Sequence, residues 1–73
     1  MKNSKRHFQV FSSTEQSERR FDLEDLSGDD GTELLYSLQE IIDEILDLKV
    51  RESMYFQPNR DNKDSKGIII RIA

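Results

Sequence analysis

The longest periodic pattern of apolar residues in the chain lies between Asp29 and Lys49. Leucine and isoleucine recur there at intervals of three and four residues, which is the spacing of one face of an α-helix. The apolar positions are Leu34, Leu35, Leu38, Ile41, Ile42, Ile45, Leu46 and Leu48. Asp30 and Glu33 have the spacing of a capping box, so the helix is expected to begin with Asp30 as its N-cap. The pattern predicts a single long amphipathic helix.

Two alternating segments before the helix predict a β-hairpin. Residues 6–12 and residues 19–23 each alternate between apolar and polar side chains, as strands do. The polar residues 12–17 between them favour a turn. The second segment has an alternative, because it can also form a short helical turn or a loop that packs Leu23 and Leu26 beneath the long helix.

Two further strands are predicted after the helix. Residues 50–57 alternate and end at Pro58, which cannot donate a hydrogen bond to a neighbouring strand. Residues 58–66 form a polar loop. The last segment, GIIIRIA over residues 67–73, is rich in β-branched side chains and is expected to pair with residues 50–57.

These elements combine into one small α+β domain over residues 1–73, with the order β-β-α-β-β. We expect a three- or four-stranded antiparallel sheet with one amphipathic helix packed on one face, and a disordered tail at residues 1–5. The expected core residues are Phe8, Val10, Phe21, Leu23, Leu38, Ile41, Ile45, Leu48, Met54, Phe56, Ile68, Ile70 and Ile72.

A single helix covers only one face of such a sheet, so the other face is the predicted binding surface. Strand parity places Phe11, Arg20, Arg51, Tyr55, Ile69 and Arg71 there, together with His7. One hypothesis is that the apolar members contact a protein partner or form a homodimer. The alternative is that aromatic rings and arginines on this face bind single-stranded nucleic acid.

Charge is unevenly distributed along the chain. The net charge is -4, yet residues 22–47 contain ten acidic residues and neither lysine nor arginine. The predicted acidic surface consists of Asp29, Asp30, Glu40, Asp43, Glu44 and Asp47. It is either the solvated face of the helix or an anionic surface that mimics nucleic acid and inhibits a DNA-binding protein.

The residues that enzymes and metal sites require are scarce. The chain has no cysteine and one histidine. An EF-hand loop with Gly31 at its sixth position would have Leu26 first and Ser37 twelfth, where carboxylates are required. We therefore expect no enzyme activity, no catalytic residues, no metal, no cofactor and no small-molecule substrate.

Hydropathy gives no indication of a membrane segment. No apolar run approaches the roughly 20 residues that span a bilayer. The N-terminal apolar stretch is also too short for a signal peptide. The expectation is a cytoplasmic protein without a membrane partner.

The last third of the chain carries a resemblance. Leu48–Ser53 has the sequence LKVRES and is followed by Tyr55, Phe56 and the strand GIIIRI. This resembles small uncharacterised proteins encoded by phages and mobile elements, in which a helix leads through an LKVGES-like turn into a β-hairpin. Arg51 stands where such turns carry glycine. The resemblance implies a short accessory or host-interaction protein rather than an enzyme, and it assigns no functional residues.

Overall fold

The computed structural model describes residues 6–14 and 16–73, so the predicted tail at residues 1–5 lies outside the described residues. The described part of the chain contains four strands and three helices. In chain order these are β1 (His7–Ser12), β2 (Ser17–Asp22), α1 (Leu23–Leu26), α2 (Glu33–Glu40), α3 (Ile42–Leu46), β3 (Ser53–Phe56) and β4 (Gly67–Arg71). The prediction of a small α+β protein with an antiparallel sheet is confirmed.

The four described strands form one sheet in the order β2-β1-β4-β3, and all neighbours are antiparallel. Both predicted hairpins are present, and β1 pairs with β4 to join them. The first and last strands of the chain therefore lie at the centre. The uncertain segment near residue 23 contains both alternatives, because β2 ends at Asp22 and α1 follows at once with Leu23 and Leu26.

The prediction of one continuous helix is wrong. Ile41 leaves helical geometry, with φ -117° and ψ 25°, and separates α2 from α3. The helix tightens there, because the N–H of Ile41 donates to the carbonyl of Leu38 rather than to the residue four positions back. Ile41 and Ile42 are adjacent β-branched residues, which lose side-chain freedom in a helix.

The cap of α2 also differs from the prediction. Thr32, rather than Asp30, is the N-cap, and its hydroxyl accepts a hydrogen bond from the N–H of Leu35 at 3.2 Å. Asp30, two residues before Thr32, holds this cap in place. The carboxylate of Asp30 accepts hydrogen bonds from the N–H of Thr32 at 2.9 Å and from the hydroxyl of Thr32 at 2.6 Å. The hydroxyl of Thr32 is three residues before Leu35, which is the reach that capping requires.

The hydrophobic core lies between the helices and one face of the sheet. Its buried members are Phe8, Val10, Phe21, Leu26, Leu34, Leu35, Leu38, Ile45, Leu48 and Ile69, and Leu23, Ile41, Ile42, Met54 and Phe56 pack against them partly buried. The predicted core positions of β1, β2 and β3 are confirmed. Those of β4 are wrong, because Ile69 is buried, Ile68 is half-buried, and Ile70 and Ile72 are exposed.

The inversion of β4 follows from its register. Ile69 lies opposite Val10 on one side and Met54 on the other, and both neighbours face the helices. Pairing directly opposite places all three side chains on the same face of the sheet. Three consecutive isoleucines carry no polar residue that specifies which of them is buried, so alternation within β4 does not determine its phase.

The connection between β3 and β4 is held by its own hydrogen bonds. The side-chain amide of Gln57 donates to the carbonyls of Asn59 and Arg60, and the hydroxyl of Ser65 donates to the carbonyl of Asn62 at 2.7 Å. The hydroxyl of Ser37 in α2 donates to the carbonyl of Pro58 at 2.8 Å. These bonds fix the loop against α2 and leave the opposite face of the sheet uncovered by it.

Candidate interaction surface

One face of the sheet carries no helix in the described part of the chain. We call it the open face. Its members follow from strand register and belong to all four strands: His7, Gln9 and Phe11 of β1, Glu18, Arg20 and Asp22 of β2, Ser53 and Tyr55 of β3, and Ile68 and Ile70 of β4. The opposite pairing of strands places these side chains in rows that cross the sheet.

Four apolar side chains form a continuous strip on the open face. Phe11 and Tyr55 lie on either side of Ile68 in one row, and Ile70 is the next residue of β4 on the same face. Phe11 is 41% exposed, Tyr55 80% and Ile70 37%. We call Phe11, Tyr55, Ile68 and Ile70 the apolar strip. Exposed and contiguous apolar side chains of this size are typical of a binding surface.

A shallow depression adjoins the apolar strip. It has a volume of about 670 Å³ and is lined by Phe11, Ser13, Tyr55, Phe56, Lys66, Gly67 and Ile68. A second depression of about 330 Å³ is lined by Gln9, Phe11, Glu18, Ile68 and Ile70. The open face therefore has two depressions that can receive side chains of another molecule.

The β2 side of the open face is charged, with both signs. Glu18, Arg20 and Asp22 alternate in sign along β2. Glu18 accepts a hydrogen bond from the side-chain amide of Gln9, and Nδ1 of His7 lies 2.6 Å from a carboxylate oxygen of Asp22. The result is a polar border along one side of the apolar strip, without an excess of positive charge.

The predicted binding-surface residues divide into three groups: those on the open face, those on the helix side of the sheet, and Arg51 in the turn before β3. Phe11, Arg20 and Tyr55 lie on the open face as expected. Ile69 is buried on the helix side, and Arg71 lies opposite Phe8 on that same side. Arg71 donates from Nη1 to the carbonyl of Leu48 at 2.8 Å. Its guanidinium therefore binds the backbone just after α3 and does not lie on the open face.

Ile68 and Ile70 are surface residues that alternation along β4 places in the core. Their placement depends on the pairing of β4 with β1, where Ile70 lies opposite Gln9 and Ile68 opposite Phe11. The signal was present in β1, since Phe8 and Val10 indicate its core side. Transferring that side to β4 requires the register, which the alternation of a single strand does not contain.

Arg51 lies outside the sheet face, in the turn that leads into β3. The N–H of Glu52 donates to the carbonyl of Lys49 at 2.9 Å, and Arg51 has φ 74° in the third position of this turn. The N–H of Arg51 donates to the carbonyl of Arg71, and the N–H of Arg71 donates to the carbonyl of Glu52. Two residues thus face one, which is a β-bulge of the type that normally has glycine at its first position.

The strained backbone at Arg51 leads to a stability prediction. A left-handed conformation costs a non-glycine residue about 1–2 kcal/mol in the folded protein. Glycine avoids this cost, but its greater freedom in the unfolded chain offsets part of the gain in stability. We expect Arg51→Gly to raise the free energy of unfolding by about 0.5–1 kcal/mol. Chemical denaturation measures the change. Val50→Gly is the matched control and should destabilise, and a loss of stability in Arg51→Gly would contradict the turn geometry.

The predicted acidic surface is partly neutralised within the chain. Asp30 lies 3.0 Å from a guanidinium nitrogen of Arg19, and Glu40 lies 3.2 Å from Arg60. Hydrogen bonds from the hydroxyl and the N–H of Thr32 lower the pKa of Asp30, and Arg19 adds to this effect. Of the other four acids, Asp43, Glu44 and Asp47 are exposed on α3 and just after it, and Asp29 lies in the loop before α2.

Asp29 has a role within its loop. Its carboxylate accepts from the N–H of Gly31 at 3.0 Å and from the phenol of Tyr36 at 3.2 Å. The charge of Asp29 raises the pKa of Tyr36, because a nearby carboxylate disfavours the phenolate. Asp29 and Asp30 therefore stabilise the entry to α2 through hydrogen bonds within the chain, while both residues stay exposed.

Among residues 6–14 and 16–73, no three His, Asp or Glu side chains come together in a way that would hold a metal ion. None of the helices in these ranges has the length and apolar composition to cross a membrane. Comparison of the chain with protein-family models, with curated proteins and with solved structures found no match.

Proposed function

We propose that this chain is a small regulatory or accessory protein without enzymatic activity, and that it acts by docking a protein chain on its open face. The observation that carries the proposal is the apolar strip, in which Phe11, Tyr55 and Ile70 are exposed side by side on a sheet whose other face is covered. Such a role agrees with what the resemblance of its last third to small uncharacterised phage and mobile-element proteins implies.

The composition of the strip favours protein contact. Tyrosine and phenylalanine provide large contact areas with few rotatable bonds, and aromatic side chains are enriched among residues that dominate binding energy. The β strands hold these side chains in fixed positions, because their backbone groups are paired in the sheet. A partner would therefore meet a surface that is largely organised before binding.

Nucleic-acid binding has less support from the geometry. Of the three arginines expected on the open face, Arg20 is there, and its β2 neighbours on that face are Glu18 and Asp22. Two carboxylates beside one guanidinium repel a phosphate backbone more than they attract it. Mimicry of nucleic acid by the acidic surface is likewise weakened, since Asp29, Asp30 and Glu40 bond within the chain.

Site-specific photo-cross-linking in cells tests the proposal. The photoreactive residue p-benzoylphenylalanine replaces Tyr55 or Phe11 on the open face, or Tyr36 on α2 as a control. Tyr36 is a matched position, since it is also an aromatic residue and is 42% exposed. We expect a discrete protein adduct from positions 55 and 11 and none from position 36. Nucleic-acid adducts, or no protein adduct from either open-face position, would contradict the proposal.

A further inference from the structure

We infer that the protein docked on the open face is a second copy of this chain, related by a two-fold axis that lies between the two sheets and runs across the strands. This inference rests on the proposed function and specifies its partner. In such an isologous interface, each surface feature must find its complement elsewhere on the same surface. The open face meets this condition in charge, in side-chain size and in apolar content.

The rows of the open face define the arrangement. One row crosses the sheet through Arg20, Gln9, Ile70 and Ser53, and the next row on the same face contains Glu18, Phe11, Ile68 and Tyr55. A two-fold axis between these rows inverts their order in the partner. Each row of one copy then lies over the other row of the second copy.

Charge complementarity follows directly from this inversion. Arg20 of each copy lies over Glu18 of its partner, so two equivalent ion pairs form at one side of the interface. Both residues belong to β2, an edge strand, and both are exposed in the single chain. Opposite charges placed at the border of an interface favour one orientation over others.

Side-chain size is complementary in the same arrangement. Ile70 lies over Ile68 of the partner at the centre, near the depression lined by Gln9, Phe11, Glu18, Ile68 and Ile70. Tyr55, the most exposed large residue of the strip, lies over Ser53, the smallest residue of the open face. At the β3 side a large side chain thus meets a small one, and at the centre two isoleucines meet and fill the space between the sheets.

A two-fold axis along the strands is disfavoured by the same rows. It would keep each row over itself and exchange the strands, so that Glu18 would lie over Tyr55 of the partner and Arg20 over Ser53. Each charge would then lose solvent without gaining an opposite charge, which is costly. A two-fold axis across the strands is therefore the arrangement that this surface favours.

Association also fits the size of the chain. A domain of 73 residues has a small core and gains stability from burying further apolar surface. The open face is narrow, since four strands at about 4.8 Å spacing are roughly 15–20 Å wide. An interface of this size belongs to the weaker class, so we expect dimers at micromolar concentration and above.

Charge reversal tests the pairing of Arg20 with Glu18. Sedimentation velocity and light scattering of the purified full chain, from low to high micromolar concentration, are expected to show a dimer. Arg20→Glu and Glu18→Arg should each weaken self-association by roughly tenfold or more, because like charges then face each other twice. An equimolar mixture of the two variants should form a heterodimer, since every facing pair is again of opposite sign.

Two controls complete this experiment. The double variant Glu18→Arg with Arg20→Glu should recover the dimer of the unmodified chain. Glu44→Arg makes the same substitution as Glu18→Arg on the exposed surface of α3 and should leave the dimer unchanged. A dimer that is insensitive to the single reversals, or single variants that fail to associate when mixed, would overturn the arrangement. A strict monomer at high micromolar concentration would overturn the dimer.

Cross-linking from Tyr55 separates this inference from the proposed function. An adduct containing two copies of this chain supports both. An adduct with a different protein overturns the dimer and leaves protein docking on the open face intact. No protein adduct from Tyr55 or Phe11 overturns both.

Discussion

Replacing Ile69 with alanine is expected to lower the free energy of unfolding by about 2–5 kcal/mol, whereas Ile70→Ala should cost less than about 1.5 kcal/mol. The two residues are adjacent and chemically identical. Ile69 is fully buried between Val10 and Met54, while Ile70 is 37% exposed on the open face. The difference in cost therefore reports which face of β4 is buried.

Urea denaturation followed by circular dichroism measures both variants. Submicromolar protein, below the concentration at which the dimer is expected, keeps self-association from adding to the stability of the unmodified chain. Ile69→Ala removes a large part of the stability of a small domain, so Ile69→Val, with an expected cost of about 0.5–1.5 kcal/mol, provides a milder variant that stays folded. Equal losses in Ile69→Ala and Ile70→Ala, or a larger loss in Ile70→Ala, would contradict the observed register.

Alternation predicts where the strands lie in the sequence better than it predicts which of their residues face the core. In β1, Gln9 separates Phe8 from Val10, and alternation assigns both to the correct side; Met54 and Phe56 of β3 are also assigned correctly. In β4 the apolar residues are consecutive, and only the pairing with β1 decides their orientation. A strand with no polar residue among its central positions can be placed in the fold from sequence, but its two faces cannot be distinguished.

The helical region shows a similar limit. Periodicity correctly identified Leu34, Leu35, Leu38 and Ile45 as one apolar face, because that face packs on the sheet. The break at Ile41 does not disturb this periodicity, since a tightened turn changes the direction of the helix more than the spacing of its apolar residues. Hydrophobic patterning therefore predicts the buried face of the helical region, although it includes the exposed Leu46 and the predicted core list omits the buried Leu34 and Leu35, and it misses the division into α2 and α3.

The candidate site depends on long-range pairing to a greater degree than the core. Phe11, Arg20 and Tyr55 could be assigned from their own strands. Ile68 and Ile70 required the central pairing of β1 with β4, which joins residues about 60 positions apart in sequence. Arg51 carried a local signal, the absence of glycine from a turn of this type, and that signal concerns backbone conformation and not binding.

Gly67 is the position where a side chain is expected to disturb the sheet most directly. It lies opposite Phe56 of β3 and Ser12 of β1. A Cβ atom there would lie 2.7 Å from two carbon atoms of the Phe56 ring and 3.2 Å from the carbonyl oxygen of Phe11. The ring of Phe56 therefore occupies the space that any larger residue at position 67 needs.

We expect Gly67→Ala to lower the free energy of unfolding by about 1–3 kcal/mol, the usual cost of overpacking. Thermal and urea denaturation measure it. Gly28→Ala is the matched control, because its Cβ would meet the carbonyl oxygen of Asp25 at an ordinary 3.5 Å, and its cost should stay within about 0.5 kcal/mol. Similar effects of the two substitutions would contradict the close packing of Phe56 on Gly67.

A double-mutant cycle shows whether the Phe56 ring is the cause. Phe56→Leu removes the ring atoms that approach Gly67, so adding Gly67→Ala to Phe56→Leu should cost less than adding it to the unmodified chain. We expect a coupling energy of about 0.5–3 kcal/mol between the two positions. If the costs simply add, the carbonyl of Phe11, which no side-chain substitution removes, is the group that resists a larger residue at position 67.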